Sequence, residues 1–147
     1  MLTTEKVQNE DLVAIVEEAR LHGTRIRPQI GGFPYLAEAL RRAGIARLEF
    51  VVPSMTTVYV TERGAVLEQG EPLAPGATLV AGFDENALVA AVRADQEGRS
   101  TFPEFVAAAW RAGVMSWTVD LAARTCTYRS ASGRDTYAES YPAVEIS

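Results

Sequence analysis

Apolar residues recur along the chain in two rhythms, and the order of those rhythms comes round twice. From Glu10, "EDLVAIVEEARLHG" sets Leu12, Val13, Ile15, Val16 and Ala19 on one helical stripe. Asn9 stands where a cap would start that helix. From Phe33, "FPYLAEALRRAG" predicts a second helix with Leu36, Ala39, Leu40 and Ala43 on one face. Gly32 takes its cap position, and Pro34 sits in the first turn, where a missing N–H costs no bond. The period then drops to two. Leu48, Phe50 and Val52 alternate with Arg47, Glu49 and Val51, which predicts a half-buried antiparallel strand. "TTVYVT" from Thr56 and "AVLEQ" from Ala65 predict two more strands, with "ERGA" turning between them.

The second half reads the same way. Leu88, Val89, Ala91 and Val92 form a helical stripe capped by Asp84. "FPEFVAAAWRAG" from Phe102 predicts a helix with Phe105, Ala108, Ala109 and Ala112 on one face. Thr101 and Glu104 have the spacing of a capping box, in which each side chain bonds the other's backbone N–H. Trp117, Val119 and Leu121 alternate with Ser116, Thr118 and Asp120. "TCTYRS", the turn "ASGR" and the strand "DTYAE" follow. Gly23 and Gly98 suit the ends of the first helix of each half, and Gly44 and Gly113 the ends of the second.

Shifting the chain by 69 positions lays residues 33–65 on 102–134 without a gap. The identical pairs are Phe33/Phe102, Pro34/Pro103, Ala39/Ala108, Arg42/Arg111, Ala43/Ala112, Gly44/Gly113, Thr56/Thr125, Tyr59/Tyr128 and Gly64/Gly133. Unrelated stretches of this composition would share roughly two or three. Upstream, Leu12 falls on Leu88, so the first copy carries extra residues in "GTRIRPQIGG". The expectation is an α+β fold made by internal duplication of an α-α-β-β-β unit. Antiparallel strands pack against helices in a single domain over 1–147, with repeats at about 9–69 and 84–139 and a Gly/Pro-rich linker at about 70–83.

Composition narrows the function classes. The net charge of −5, with no Lys/Arg cluster beyond Arg41-Arg42, argues against a nucleic-acid partner. One lysine stands against thirteen arginines, which with the abundant alanine fits a GC-rich bacterial genome. The single cysteine, Cys126, excludes an intrachain disulfide. No stretch nears the roughly eighteen apolar residues of a membrane span, and the N-terminus lacks an apolar signal core. A cytoplasmic protein without membrane contact is expected.

The segments "RPQIGGFPYLAEALRRAG", "VLEQGEPL", "FDENALVAAVRADQEGRSTFPEFVAAAWRAGV" and "YPAVEI" together resemble the YbcV-like family. That family is a domain of unknown function often labelled "phage envelope protein". The resemblance spans roughly residues 24–147 and implies an α+β fold, with no catalytic motif to carry over.

Candidate chemistry is sparse. One His and one Cys cannot supply the usual N/S metal ligands, and no clustered Asp/Asn loop offers a Ca²⁺ or Mg²⁺ site, so no metal or cofactor is expected. His22 reads as a cation complementing a helix C-terminus, and Cys126 as an inert strand thiol. Arg27, beside "GGFP" in the inserted loop, makes an anionic small ligand conceivable. Asp120 and Arg124 read either as a hairpin ion pair or as a polar site with Asp120 as the acid/base. The repeat mates Tyr59 and Tyr128 read as packing residues, or as the walls of a pocket. Positions where the two copies disagree, namely Asp120, Glu49, Glu104 and Arg27, mark where to look for function.

Two functions compete. One is a small-molecule-binding or interaction module, a homodimer, with Tyr35 or Trp110 exposed in an apolar patch. The other is a cofactor-free enzyme of isomerase, lyase or cyclase type with a pocket between the repeats. Its catalytic groups would be Asp120, Tyr128 and Tyr59, with Arg27, Tyr35, Glu49 and Arg124 holding the ligand and one carboxylate pKa raised. A third reading, a phage structural protein, rests on the family label.

Overall fold

The computed structural model describes residues 4–74 and 76–147, with side chains from residue 11 onward. The first half runs α1 (Thr4–Ile26), α2 (Phe33–Arg42), β1 (Ile45–Val51), β2 (Thr56–Thr61) and β3 (Gly64–Gln69). The second runs α3 (Glu85–Gln96), α4 (Phe102–Arg111), β4 (Val114–Asp120), β5 (Thr125–Ser130) and β6 (Thr136–Ser140). The mixed α+β class is as expected. All six strands join in one antiparallel sheet of order β3-β2-β1-β4-β5-β6, so the first strand of each half meets the other at the centre.

Several local expectations hold for stated reasons. Asp84 Oδ1 accepts the Ala87 N–H at 3.0 Å and starts α3. Both bonds of the Thr101/Glu104 capping box form, at 2.9 and 3.3 Å. Gly44 and Gly113 end α2 and α4 with φ of +97° and +84°, a left-handed turn that suits glycine. Two boundaries differ. The first helix begins at Thr4, so Asn9 lies inside it rather than at its start, and the Asn9 side chain is outside the described residues. Gly23 is inside α1, not at its end. A Cβ there would meet Leu36 Cδ1 at 2.6 Å and Leu36 Cα at 3.0 Å, so the glycine lets α1 and α2 cross closely.

One hydrophobic core joins all four helices to one face of the sheet. Leu12 and Val16, Leu40, Leu88 and Val92, and Phe105 and Val106 pack with Leu48, Phe50, Tyr59, Trp117, Val119 and Tyr128. Register shifts between Ile45 and Arg47, and between Val114 and Ser116, occupy matching places in β1 and β4. Each bulge turns its strand's first residue toward the helices together with Leu48 or Trp117. The opposite face carries Arg47, Glu49, Thr118 and Asp120, which alternation places away from the helices.

Candidate functional site

The cross-strand register sets two rows of side chains beneath the helices. One runs Val66, Tyr59, Leu48, Val119, Cys126, Glu139, and its neighbour runs Glu68, Thr57, Phe50, Trp117, Tyr128, Tyr137. Above them, the α1–α2 loop crosses to the other half. The Gly31 N–H donates to the Gln96 carbonyl at 2.9 Å, and the Gln29 amide to the Gly98 carbonyl at 3.4 Å. Between loops, helix N-termini and sheet lies a cleft of about 980 Å³. That is at the upper end of the size of small-molecule sites.

The floor is aromatic toward the second half. Phe50 and Trp117 stack with centroids 4.5 Å apart, and Phe102 meets Phe50 edge-on at 5.6 Å. Tyr128 and Phe105 each lie 5.5 Å from Trp117. Such pairs add to burial because ring edges and faces carry opposite partial charge. Toward the first half, Leu36, Leu40 and Leu48 line the cleft instead.

Polar groups stand at the two ends of the rows. Arg20 pairs with Glu68 at 3.1 Å, and Arg93 with Glu139 at 2.7 Å. Glu139 also accepts from Tyr137 Oη and from Gln96. The Arg93 bonds hold its carboxyl below the usual range, against an opposing burial effect. Burial, then the Glu68 charge, pushes Tyr59 up to about 12, and burial lifts Tyr128 well above its ordinary value. Burial also raises Asp95, partly offset by the Arg27 charge.

Of the residues the sequence singled out, Arg27, Tyr59 and Tyr128 line the cleft. Asp120 and Glu49 do not, because alternation puts them on the opposite sheet face. Asp120 Oδ1 accepts the Ala122 and Ala123 N–H groups at 3.1 and 3.0 Å, so it shapes the turn after β4. Glu49 pairs with Arg47 at 3.3 Å. Arg124 belongs to that same turn with φ of +56°, and its carbonyl accepts the Tyr141 N–H. Tyr35 is half-buried in the first turn of α2 and is not among the cleft residues. Trp110 is half-buried against the core, unlike the exposed anchor an interaction module would present.

Glu104 closes its capping box at the cleft edge. His22 lies in a separate shallow groove with Arg42 and Ile146. Cys126 faces the cleft, and burial pushes its thiol up to about 12. Asp95, Ser100, Glu68 and Glu139 are cleft residues that sequence reasoning missed. Among the described residues, no three His, Cys, Asp or Glu side chains gather as metal ligands would. None of the described helices is long and apolar enough to cross a membrane.

Relatives place the chain without assigning it an activity. Uncharacterized proteins of Mycobacterium tuberculosis and Mycobacterium bovis are each 53% identical over 121 residues, covering 82% of this chain and 73% of the relative. Residues 26–140, which hold the cleft floor and the Arg27 loop, match a family described as protein of unknown function (DUF1398). The chain is a member of that DUF1398 family.

Proposed function

We propose that the protein binds a small, largely apolar aromatic molecule in the cleft between its helices and its sheet. The observation that carries this reading is the roomy cleft floored by the Phe50–Trp117 stack, with the Tyr59 and Tyr128 hydroxyls on the floor and charged side chains such as Arg20, Glu68, Arg99 and Glu139 around it. An apolar floor gives such a site affinity, and the polar groups around it give orientation. The test is a titration of the Trp110→Phe protein, whose one remaining tryptophan is Trp117, with the neutral dye N-phenyl-1-naphthylamine. Saturable energy transfer from Trp117 at one dye per chain supports the reading. Linear, unsaturable emission up to the solubility limit contradicts it.

A cofactor-free acid–base enzyme is the second reading, and Asp95 favours it. Its half-buried carboxyl lines the cleft with a raised pKa, in the electrostatic reach of Tyr128. Asp95→Asn would then abolish turnover while leaving dye binding intact.

We further read the chain as a cytoplasmic single domain built from two copies of one α-α-β-β-β unit. The shared element order and the matched bulges of β1 and β4 support that reading. The YbcV-like assignment keeps the support of the segments quoted for it. Its phage wording finds no counterpart in the geometry of the cleft.

A further inference from the structure

We infer that the ligand is an aromatic carboxylate, its ring on the Phe50–Trp117 floor and its carboxylate held by Arg27 and the Ser100 hydroxyl. This rests on the small-molecule reading above and assigns that ligand a charge and an orientation.

Most charged groups of the cleft are already matched. Arg20 Nε lies 3.1 Å from Glu68, close enough for an ion pair but without the geometry of a hydrogen bond, Arg99 holds Glu97 at 2.7 Å, and Glu139 is held by Arg93 at 2.7 Å. Glu104 accepts the Thr101 N–H at 2.9 Å. Among the described residues, Arg27 has no carboxylate within 4.0 Å. The Ser100 hydroxyl oxygen is buried and has no hydrogen-bond partner. Arg27 and Ser100 line the same cleft, on the two loops that the Gln29–Gly98 bond ties together. A guanidinium presents parallel N–H donors that suit a carboxylate, and a buried hydroxyl without a partner favours a ligand that supplies one.

The other charged group at this end is Asp95. Its half-buried carboxyl is lifted by burial and feels the Arg27 charge. When ionised it weakens the pull on an anion, and when protonated it adds a donor. A phosphate would call for more unmatched positive charge than this one guanidinium. A cation would find the remaining carboxylates bonded already.

The test compares 2-naphthoate with its neutral analogue 2-naphthalenemethanol by calorimetry on the full chain. The expected result is at least tenfold tighter binding of naphthoate. Arg27→Gln should bring the two within about twofold by weakening naphthoate far more than the alcohol, with an unchanged far-UV circular dichroism spectrum showing that the variant is folded. Ser100→Ala should reduce the preference several-fold, and Asp95→Asn should enlarge it. Equal binding of the two compounds, or a preference that survives Arg27→Gln, overturns this inference and leaves the small-molecule reading standing. Failure of both compounds to bind overturns both.

Discussion

The Trp117 indole stacks on the Phe50 ring across the β1–β4 seam, with centroids 4.5 Å apart and planes 21° from parallel. This contact ties the two halves at their one shared strand pair and forms the floor of the cleft. Stability and binding therefore meet at one pair of rings.

Trp117→Leu places at this position the residue found at Leu48, its counterpart in the first half. The change removes ring contacts with Phe50, Phe102, Phe105 and Tyr128. A loss of about 2–3 kcal/mol is expected, somewhat below the usual cost of truncating a buried aromatic to alanine. Urea unfolding followed by far-UV circular dichroism measures it. A loss under about 0.5 kcal/mol would show that the stack does not hold the seam.

Cys126 should be nearly inert while the protein is folded. Its thiol pKa of about 12, against about 8.5 for a free thiol, lowers the thiolate fraction at pH 8 by roughly a thousandfold. Iodoacetamide labelling followed by mass spectrometry should be slower by about that factor than in the urea-unfolded chain. Comparable rates in the two states would mean the thiol is open to solvent.

Glu38 couples stability to acid pH. Its carboxyl is buried and accepts from Arg41 at 2.8 Å and from Arg42 at 3.0 Å. The Arg41 bond leads in lowering its pKa from 4.5 to about 2, against burial. The folded pKa lies below the unfolded one, so this stabilisation is full above pH 4.5 and is lost as pH falls toward 2. Both guanidiniums are more than two-fifths exposed, so solvent screening holds the effect to about 1 kcal/mol. Glu38→Gln should lose that amount at pH 7 and flatten the decline below pH 4.5. An unchanged pH profile would show that the pair contributes nothing to folding.

Local signals in the chain were legible where a few neighbouring residues decide the outcome. Asp84, the Thr101/Glu104 box and the inward set Leu48, Phe50, Trp117 and Val119 all depend on short-range bonding or on period two. Asp120 misled because alternation shows that a strand has two faces but not which one the helices cover. All four helices share one face, which left Asp120 and Glu49 on the other.

The far ends of the cleft were hidden by a change of spacing. The turn after β5 (131–135) is three residues longer than the turn after β2 (62–63), and the strand register slips by two: Thr57 faces Glu68, while Cys126 faces Glu139. A shift of 69 lays Glu139 on Gly70, whereas in the sheet its counterpart across the cleft is Glu68. Asp95 and Ser100 carry no motif, since their role comes from loops that meet only in three dimensions.

The cleft as ligand site is tested most directly by methyl chemical shifts during a titration with 2-naphthalenemethanol. Leu36, Leu48 and Val92 line the cleft, while Val58 and Leu67 lie on the opposite sheet face. Saturable shifts at the first three, with Val58 and Leu67 unmoved, are the predicted result. Shifts confined to Val58 and Leu67, or no saturable shift at any of the five, would contradict it.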